Sequence, residues 1–497
     1  LDNLDIFREV GSLAALVKTF DVTVSDGVLN IEFRHVVENP KISAIEVLAL
    51  STTTNQPPTA VAGATPTSGV APLTVSFTSS GSADPDGTIV SYSWNFGDGT
   101  TSTEANPSHV YATPGLYTVT LTITDDKGAT DNATLYIAVH TSEVVTDVSV
   151  CPWKGCKKGA ASFSVDDSVS SCRAELEAAG FRGTYYLTGN SFSSFWTDYA
   201  NAGHELGGHT VTHPCPQVCN FPDINNCSFT DADVEFWRVN EFEPNLHAIQ
   251  QVSGRPVVTM AWTCGCCDII RKTAAANYHI ASRGYFDSTC NLSWVQGLED
   301  ETPQDFLNLR SFNSFTQGAI DSAIQQGKWA NIVSHGSCDG ISYMGSKKDE
   351  LYLAPVGEVV KYIQIRNNTE FMNYSRTEDR IRFSAFHLVP PFVPRSLIYT
   401  FLPIPFDDPV TLRATLNPTD IVLAVRVNGV SVPFEVKTLD GQRYVLFDTA
   451  LHVRKDIEIQ LVPPGTNVPP TAVAGASPTS GTVPLTVNFS SAGSSDI

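Results

Sequence analysis

The chain has 497 residues, a formal net charge of −21 at pH 7 and eleven cysteines. Its length exceeds one ordinary domain, so we expect roughly two to five modules, and its acidic excess argues against nucleic acid and anionic membrane surfaces as partners. No stretch reaches the roughly 20 apolar residues that a membrane span needs, so no span is predicted.

Residues 1–50 carry the pattern of a β-hairpin. Apolar and polar side chains alternate in Phe20–Val24 and Val28–Phe33 around a turn at Ser25–Gly27, which is typical of two strands of a β-sandwich. His35–Ile45 resembles the last strands of a malectin-like carbohydrate-binding domain. We therefore expect the C-terminal fragment of such a domain here, cut from a longer modular protein.

Residues 56–140 are predicted to form an all-β module, because turn signals recur at short intervals. The run Trp94–Gly99, followed by His109–Tyr111 and Pro114–Val119, resembles the PKD domain. Its aspartates and glycines are expected to shape turns, which we favour over calcium binding.

From residue 145 to residue 377, short apolar runs alternate with helical stretches, the pattern of a parallel α/β architecture. One apolar run, Ala161–Val165, ends in the adjacent carboxylates Asp166 and Asp167. It predicts a buried strand that delivers both side chains at its C-terminal end. Beyond the strand end, one carboxylate can bind a metal while the other faces the reacting water.

Two histidines, His209 and His213, stand at positions i and i+4 between glycines and a proline. On a strand such residues lie about 13 Å apart, whereas a helical turn brings them within about 6 Å, so chelation requires the segment to coil. One aspartate and two histidines leave a coordination position open, which is typical of a catalytic zinc. A second strand-like run, Trp329–Ser334, ends at His335, which makes His335 a candidate general acid.

Three of these clusters occur in the order of known motifs. Asp166–Asp167, His209–His213 and Val333–His335 resemble the first, second and fifth motifs of the NodB-homology polysaccharide deacetylases, carbohydrate esterase family four. The resemblance covers residues 145–377. It implies a distorted (β/α) barrel with its site at the C-terminal ends of the strands.

The family also implies a role for each of these side chains. A divalent metal would be held by Asp167, His209 and His213. Their ligand types favour zinc, although such sites also accept cobalt, nickel or iron. Asp166 would act as the general base and His335 as the general acid in the hydrolysis of an acetyl group.

The third motif of the family is altered in this chain. Ala261 stands where many members carry an arginine that orients the catalytic aspartate. Arg283 is a candidate substitute, and Asp287 is a candidate for the fourth-motif carboxylate that tunes the acid histidine. By resemblance, the loop from Thr263 to Gly265, which includes Cys264, is the expected source of a backbone N–H for the oxyanion.

All eleven cysteines lie between Cys151 and Cys338, inside the region that resembles the deacetylases. Such a cluster, beside linkers rich in Ser, Thr and Pro, favours disulfides and a secreted, extracellular protein. The alternative is a structural zinc site, since Cys215, Cys219 and the Cys264–Cys267 run have ligand-like spacing.

Beyond the predicted barrel the β pattern returns. Residues 378–464 are predicted to form an accessory β-sandwich, with Asn428–Gly429 as a hairpin turn signal. Residues 469–476 then repeat the sequence of residues 57–64. Residues 467–497 are therefore expected to be a truncated second PKD domain.

These observations predict a multidomain protein in which a distorted (β/α) barrel catalytic domain is flanked by all-β sandwich modules. The predicted function is metal-dependent hydrolysis of N-acetyl or O-acetyl groups on an extracellular polysaccharide. Two alternatives stay open: an acetylxylan esterase, and a non-catalytic carbohydrate-binding or adhesive protein with a degenerate deacetylase domain. The oligomeric state stays open as well. Four tryptophans are candidates for a sugar groove, although tryptophans pack in cores about as often: Trp196, Trp237, Trp262 and Trp294.

Overall fold

The computed structural model describes residues 55–213, 231–263, 269–284, 297–392, 394, 401–463, 475–477 and 488–490. The chain divides into two compact units, residues 1–56 and residues 57–497. The malectin-like fragment predicted at residues 1–50 lies outside the described residues and stays a prediction.

The first part of the described chain is a β-sandwich. Its strands are β1 (Gly63–Thr65), β2 (Ser68–Val70), β3 (Leu73–Thr78), β4 (Ile89–Asn95), β5 (Thr101–Ser102), β6 (Ser108–Tyr111), β7 (Gly115–Asp125) and β8 (Thr130–His140). One sheet has the order β1-β3-β6, and the other has the order β2-β8-β7-β4-β5. Alternate side chains, among them Phe77, Trp94 and Tyr111, point into one core, as the period of two along a strand requires.

Strand β9 (Val148–Val150) follows, and after it comes a parallel sheet. The strands of this sheet are β10 (Gly159–Val165), β11 (Thr184–Leu187), β12 (Glu205–Gly208), β13 (Thr259–Ala261), β14 (Ala281–Arg283), β15 (Trp329–Ser334) and β16 (Leu351–Leu353). Their order is β14-β13-β12-β11-β10-β15, with β16 also paired to β10. All these pairings are parallel, so the C-terminal strand ends meet at one edge.

Helices connect most of these strands, because parallel neighbours need long crossover connections. The helices are α1 (Arg173–Ala178), α2 (Phe195–Asn201), α3 (Asp231–Trp237), α4 (Glu243–Ser253), α5 (Ile269–Ala275), α6 (Gln317–Gln326), α7 (Ile341–Ser346) and α8 (Val356–Asn367). A π-helical turn, Arg238–Phe242, joins α3 to α4. Within the described ranges, no helix is both long enough and apolar enough to cross a membrane.

A short segment lies between the two outer strands of the parallel sheet. Leu309 pairs in parallel with Arg283 of β14, and Phe312 pairs in parallel with Ile332 of β15. Single bridges therefore link the two edges where a regular barrel would have a full strand. The prediction was a distorted (β/α) barrel flanked by all-β sandwich modules. It is confirmed at the level of a multidomain, β-rich protein with a parallel half-barrel sheet and β-sandwich modules.

The second β-sandwich follows the half-barrel. Its strands, besides β9, are β17 (Thr369–Arg376), β18 (Arg380–His387), β19 (Val410–Leu416), β20 (Val422–Val427), β21 (Val430–Val432), β22 (Glu435–Leu439), β23 (Gln442–Thr449) and β24 (Lys455–Leu461). The sheet orders are β17-β18-β24-β20-β21 and β22-β23-β19-β9.

This sandwich begins earlier in the chain than the predicted boundary at residue 378. β9 pairs antiparallel with β19, and β17 pairs antiparallel with β18, so two of its strands come from residues 145–377. Its core also includes Val359, Val360 and Ile363 of α8. A local sequence pattern does not show a partner more than two hundred residues away, and β9 was therefore missed.

Two short strands are described in the C-terminal region, β25 (Gly475–Ser477) and β26 (Asn488–Ser490). They pair antiparallel with Gly475 opposite Ser490, just as Gly63 lies opposite Thr78 in the pair β1–β3. The rest of residues 467–497 lies outside the described residues, and the second PKD domain stays a prediction.

Two disulfides join cysteines of the described chain, Cys151–Cys156 and Cys172–Cys338. The prediction of disulfides is therefore confirmed for these four cysteines. The cysteines that suggested a structural zinc site, such as Cys215 and Cys264, lie outside the described residues.

The predicted tryptophan groove is wrong for two of its members. Trp196 is 7% exposed and Trp262 is 1% exposed, and both pack in the core between the sheet and its helices. Trp237 packs against the same core, and Trp294 lies outside the described residues. Trp196, Trp237 and Trp262 therefore have the alternative role, core packing, which is about as common for tryptophan as sugar binding.

Candidate metal centre

Strand β10 ends in two carboxylates that reach the same pocket. Asp166 continues the ladder, since its N–H donates to Ser334 O at 3.0 Å. Asp167 and Ser168 then have φ values of 60° and 57°, in the left-handed region that aspartate enters more readily than most residues. The chain turns there, so the Asp166 side chain stays buried at 2% exposure while that of Asp167 is 42% exposed.

The two histidines of the predicted metal site follow strand β12. The segment leaves the strand in a bend, with φ values of 64° at Thr210 and 52° at His213. The expected coiling is therefore present as a bend instead of a helical turn, because the β-branched Thr-Val-Thr run disfavours helix. The bend brings the ring centroids of His209 and His213 to 4.8 Å from each other.

Both imidazoles face the Asp167 carboxylate. His209 Nε2 lies 3.4 Å from Asp167 Oδ1, and His213 Nε2 lies 3.2 Å from the same oxygen. The three ligand atoms all lie within 4.8 Å of one another, and this is the one such group of His, Cys, Asp or Glu found among the described residues. Ligand bonds of about 2.0 to 2.2 Å in a tetrahedral zinc site separate ligand atoms by about 3.3 Å. The donor set and its spacing fit zinc.

The ring orientation of His209 is fixed by the backbone of the neighbouring strand. Its Nδ1–H donates to Ala261 O at 2.9 Å, which leaves Nε2 free for a metal, as in most histidine ligands. Its backbone N–H donates to Leu187 O at 3.1 Å and to the side-chain oxygen of Asn245 at 3.2 Å. Ala261 therefore supports the site through its carbonyl group.

A buried carboxylate, Glu241, holds the loop between the two histidines. Its Oε2 accepts the backbone N–H groups of Val211 and Thr212, each at 3.0 Å, and its Oε1 accepts the Thr212 hydroxyl at 2.7 Å. Glu241 is 5% exposed and lies in the π-helical turn, a feature frequent at functional sites. Glu241 was not among the predicted site residues, because no local motif marks it and polar residues such as Arg238, Asn240 and Glu243 surround it in the sequence.

The other carboxylate, Asp166, is paired with a buried cation. Arg283 Nη2 donates to Asp166 Oδ1, and the Arg283 side chain is fully buried on strand β14. Its guanidinium lies 4.7 Å from the centre of the Tyr186 ring, which favours a cation. The structure thus brings the candidate Arg283 to Asp166, next to the strand that carries Ala261.

His335 lies on the opposite side of the carboxylates from the histidine pair. The register of β10 with β15 places Val165 opposite Ser334, so His335 emerges beside Asp166. Its Nε2 lies 3.9 Å from Asp166 Oδ2 and 4.0 Å from Asp167 Oδ2, and its side chain is 49% exposed. An exposed imidazole near the carboxylates is accessible to a substrate.

The electrostatics favour the protonation states that bind metals. A hydrogen bond with His209 is the main cause that holds the pKa of the Asp167 carboxyl below its usual range, although partial burial acts in the opposite direction. Burial, followed by the neighbouring His209, lowers the pKa of His213. An ionised carboxylate and a neutral imidazole are the forms that coordinate a metal.

Three predicted supporting residues, Asp287, Cys264 and Gly265, lie outside the described residues, so their assignments stay predictions. The structure brings together Asp166 and Arg283, and it places His335 and the three predicted metal ligands beside them.

Comparison with known proteins identifies one segment of the chain. Residues 55–139 match the family model of the PKD domain. This segment is a PKD domain. The collagenase ColA of Bacillus cereus is 43% identical over 98 residues, which are 19% of this chain and 10% of that protein. The metalloprotease PrtV of Vibrio cholerae is 52% identical over 68 residues, or 14% of this chain and 7% of that protein. The predicted PKD domain is confirmed, and the chain spans a tenth or less of these relatives.

Solved structures similar to the chain include two from carbohydrate esterase family four. The family 4 carbohydrate esterase from Streptomyces lividans in complex with acetate is 15% identical, with a TM-score of 0.26, and the match covers 39% of this chain and 91% of that one. A mutant of a family 4 pseudoenzyme with restored activity is 12% identical, with a TM-score of 0.27, and covers 50% of this chain and 88% of that one.

Proposed function

We propose that this chain hydrolyses acetyl groups on an extracellular polysaccharide with the help of a divalent metal. The observation that carries the proposal is the difference between the two adjacent carboxylates. Asp167 faces two imidazoles at metal-ligand spacing, whereas Asp166 is paired with Arg283. Two neighbouring carboxylates with different partners are suited to different roles, one as a ligand and one as a base.

Asp166 is the proposed base. A water molecule attacks the carbonyl carbon of the acetyl group, and Asp166 takes a proton from that water. The Arg283 guanidinium fixes the carboxylate by binding Oδ1, which leaves Oδ2 directed toward His209 and His335 at 4.0 and 3.9 Å. Oδ2 is therefore the oxygen placed to accept the proton.

His335 is the proposed acid. When the bond between the carbonyl carbon and the sugar nitrogen or oxygen breaks, the imidazolium of His335 gives its proton to that leaving atom, and acetate and the free amine or alcohol are formed. Its 49% exposed side chain reaches a substrate that approaches from solvent, as a polymer must.

Asp167, His209 and His213 are the residues that would hold the metal. Zinc bound in such a site acts as a Lewis acid toward a carbonyl and lowers the pKa of water. Glu241 and the Ala261 carbonyl keep the two imidazoles in place for this purpose.

The non-catalytic alternative rested on the missing arginine at Ala261 and on the cysteine-rich loops. Arg283, on the strand next to that of Ala261, brings a guanidinium to Asp166, which supports the catalytic proposal on the first of these points. The PKD domain and the two disulfides support an extracellular setting. The choice between N-acetyl and O-acetyl groups is left to the substrate assay.

The test is acetate release from chitooligosaccharides, peptidoglycan fragments and acetylxylan, measured together with bound zinc. Asp166→Asn should lower kcat by about 10²- to 10⁴-fold with zinc retained. His209→Ala should lose both acetate release and bound zinc. His452→Ala, an exposed histidine of the second sandwich, is the matched control. Full activity of Asp166→Asn, or zinc bound normally by His209→Ala, would contradict the proposal.

A further inference from the structure

The Cys172–Cys338 disulfide joins the two loops that carry the proposed acid and base. Cys172 ends the loop that starts at Asp166 and Asp167, and Cys338 lies in the loop that starts at His335. Cys172 is 4% exposed and immediately precedes helix α1. The crosslink therefore connects the C-terminal ends of β10 and β15 beyond their last ladder pair.

The loop of His335 is tightly folded around Gly336. Gly336 has a φ of 121°, its N–H donates to Ser334 Oγ at 3.0 Å, and the Ser334 hydroxyl donates to Ser337 O at 2.5 Å. The sulfur atoms of Cys172 and Cys338 lie 3.9 and 4.0 Å from Gly336 O. The disulfide packs directly against the carbonyl group of Gly336, the residue that follows His335.

The ring of His335 is not fixed by burial. Its side chain is 49% exposed, and its nearest carboxylate oxygens, on Asp166 and Asp167, are 3.9 and 4.0 Å away, beyond ordinary hydrogen-bond length. Proton transfer to a leaving group needs a placement within a fraction of an ångström, and a displacement of about 1 Å can cost 10²-fold in rate. The position of this ring therefore depends on its loop.

We propose that the Cys172–Cys338 disulfide is a positioning element that sets His335 against the Asp166–Asp167 loop. The inference rests on the proposed function of His335 as the acid. Of the proposed metal ligands, His209 and His213 lie on a separate loop. Asp167 starts the loop that ends at Cys172, but the backbone N–H groups of its neighbours Asp166 and Ser168 donate to Ser334 O and Tyr186 O. The crosslink therefore acts on the acid more than on the metal site.

The test compares two double variants, Cys172→Ser/Cys338→Ser and Cys151→Ser/Cys156→Ser. The second variant removes the Cys151–Cys156 disulfide, which lies beside strand β19, where Cys151 N–H donates to Thr411 O. The first variant should lower kcat by about 10- to 100-fold with KM and bound zinc unchanged, and the control should keep kcat. Adding His335→Ala should then cost much less in the first variant than in the wild type, because its acid is already displaced.

A second measurement is independent of activity. Hydrogen exchange at residues 334–340 should be faster in Cys172→Ser/Cys338→Ser than in the wild type or in the control variant, with helix α6 unchanged. Unchanged exchange there, or fully additive effects of the disulfide and His335 changes on kcat, would overturn the inference. A wild-type protein without acetate release would instead refute the proposed function, and exchange alone would then decide whether the disulfide holds this loop.

Discussion

Replacing Glu241 tests whether the loop between the two histidine ligands is held for metal binding. The carboxylate accepts three hydrogen bonds, two of them from the backbone N–H groups of Val211 and Thr212. In Glu241→Ala both N–H groups lose their partner, at a cost of about 1 to 3 kcal/mol each. Relaxation of the loop recovers part of this free energy. We expect the free energy of zinc binding to become less favourable by about 2 to 3 kcal/mol, which raises Kd by about 100-fold.

Glu241→Gln should have a smaller effect, because its amide oxygen can still accept both N–H groups and its NH₂ can donate to the Thr212 hydroxyl. Only the charge is lost, so we expect about a tenfold weaker Kd. The assay is competition with a chromogenic zinc chelator on purified protein.

Glu243→Gln is the matched control for Glu241. Glu243 is 1% exposed in the same helical region, but it accepts from Tyr278 OH, away from the histidine loop. Equal zinc affinity of Glu241→Ala and the wild type, or an equal loss in Glu243→Gln, would refute the reasoning.

Two further predictions concern buried ionisable groups. Arg283→Met leaves the Asp166 carboxylate buried without its cation, so unfolding free energy should fall by about 3 to 5 kcal/mol and kcat should fall with zinc retained. Denaturant unfolding and zinc content check these expectations, and an unchanged kcat would exclude a role of Arg283 in positioning Asp166. The second prediction concerns His279. Burial lowers the pKa of His279 to about 4, whereas the unfolded chain binds that proton below about pH 6.5. Stability should therefore decline by about 3 kcal/mol as pH falls from 6.5 to 4, and His279→Phe should flatten that part of the curve. If the unfolding free energies of the wild type and His279→Phe depended on pH in the same way, this prediction would be contradicted.

The site was predictable where local pattern and chemistry coincide. The apolar run that ends in Asp166 and Asp167 predicts a buried strand that places both carboxylates at the C-terminal edge of the sheet. The i, i+4 spacing of His209 and His213 predicts that the two imidazoles lie close enough to bind one metal ion. The backbone shape of the loop that carries His209 and His213 was not predictable. A bend with positive φ values at Thr210 and His213 replaces the expected helical turn.

Contacts between distant segments were the part that the sequence did not show. Glu241 reaches the histidine loop only because a π-helical turn directs it there. Arg283 reaches Asp166 although β14 lies four positions from β10 in the strand order, so the contact depends on the folded sheet and not on sequence spacing. The pairing of β9 with β19 likewise depends on the folded chain.

The core shared by helix α8 and the second sandwich affects how such a chain can be recombined in evolution. A gene segment that ended at residue 377 would leave Val359, Val360 and Ile363 without the apolar side chains of β19 and β24, and β9 without its partner strand. Exposing each such side chain costs about 1.5 to 3 kcal/mol, so three of them approach the 5 to 15 kcal/mol that stabilises a typical domain. We therefore expect the block that can be exchanged between genes to run from β9 to β24. A crossover between residue 140 and residue 148 would lose fewer contacts, among them the hydrogen bonds that Glu143 accepts from the N–H groups of Asn373 and Tyr374.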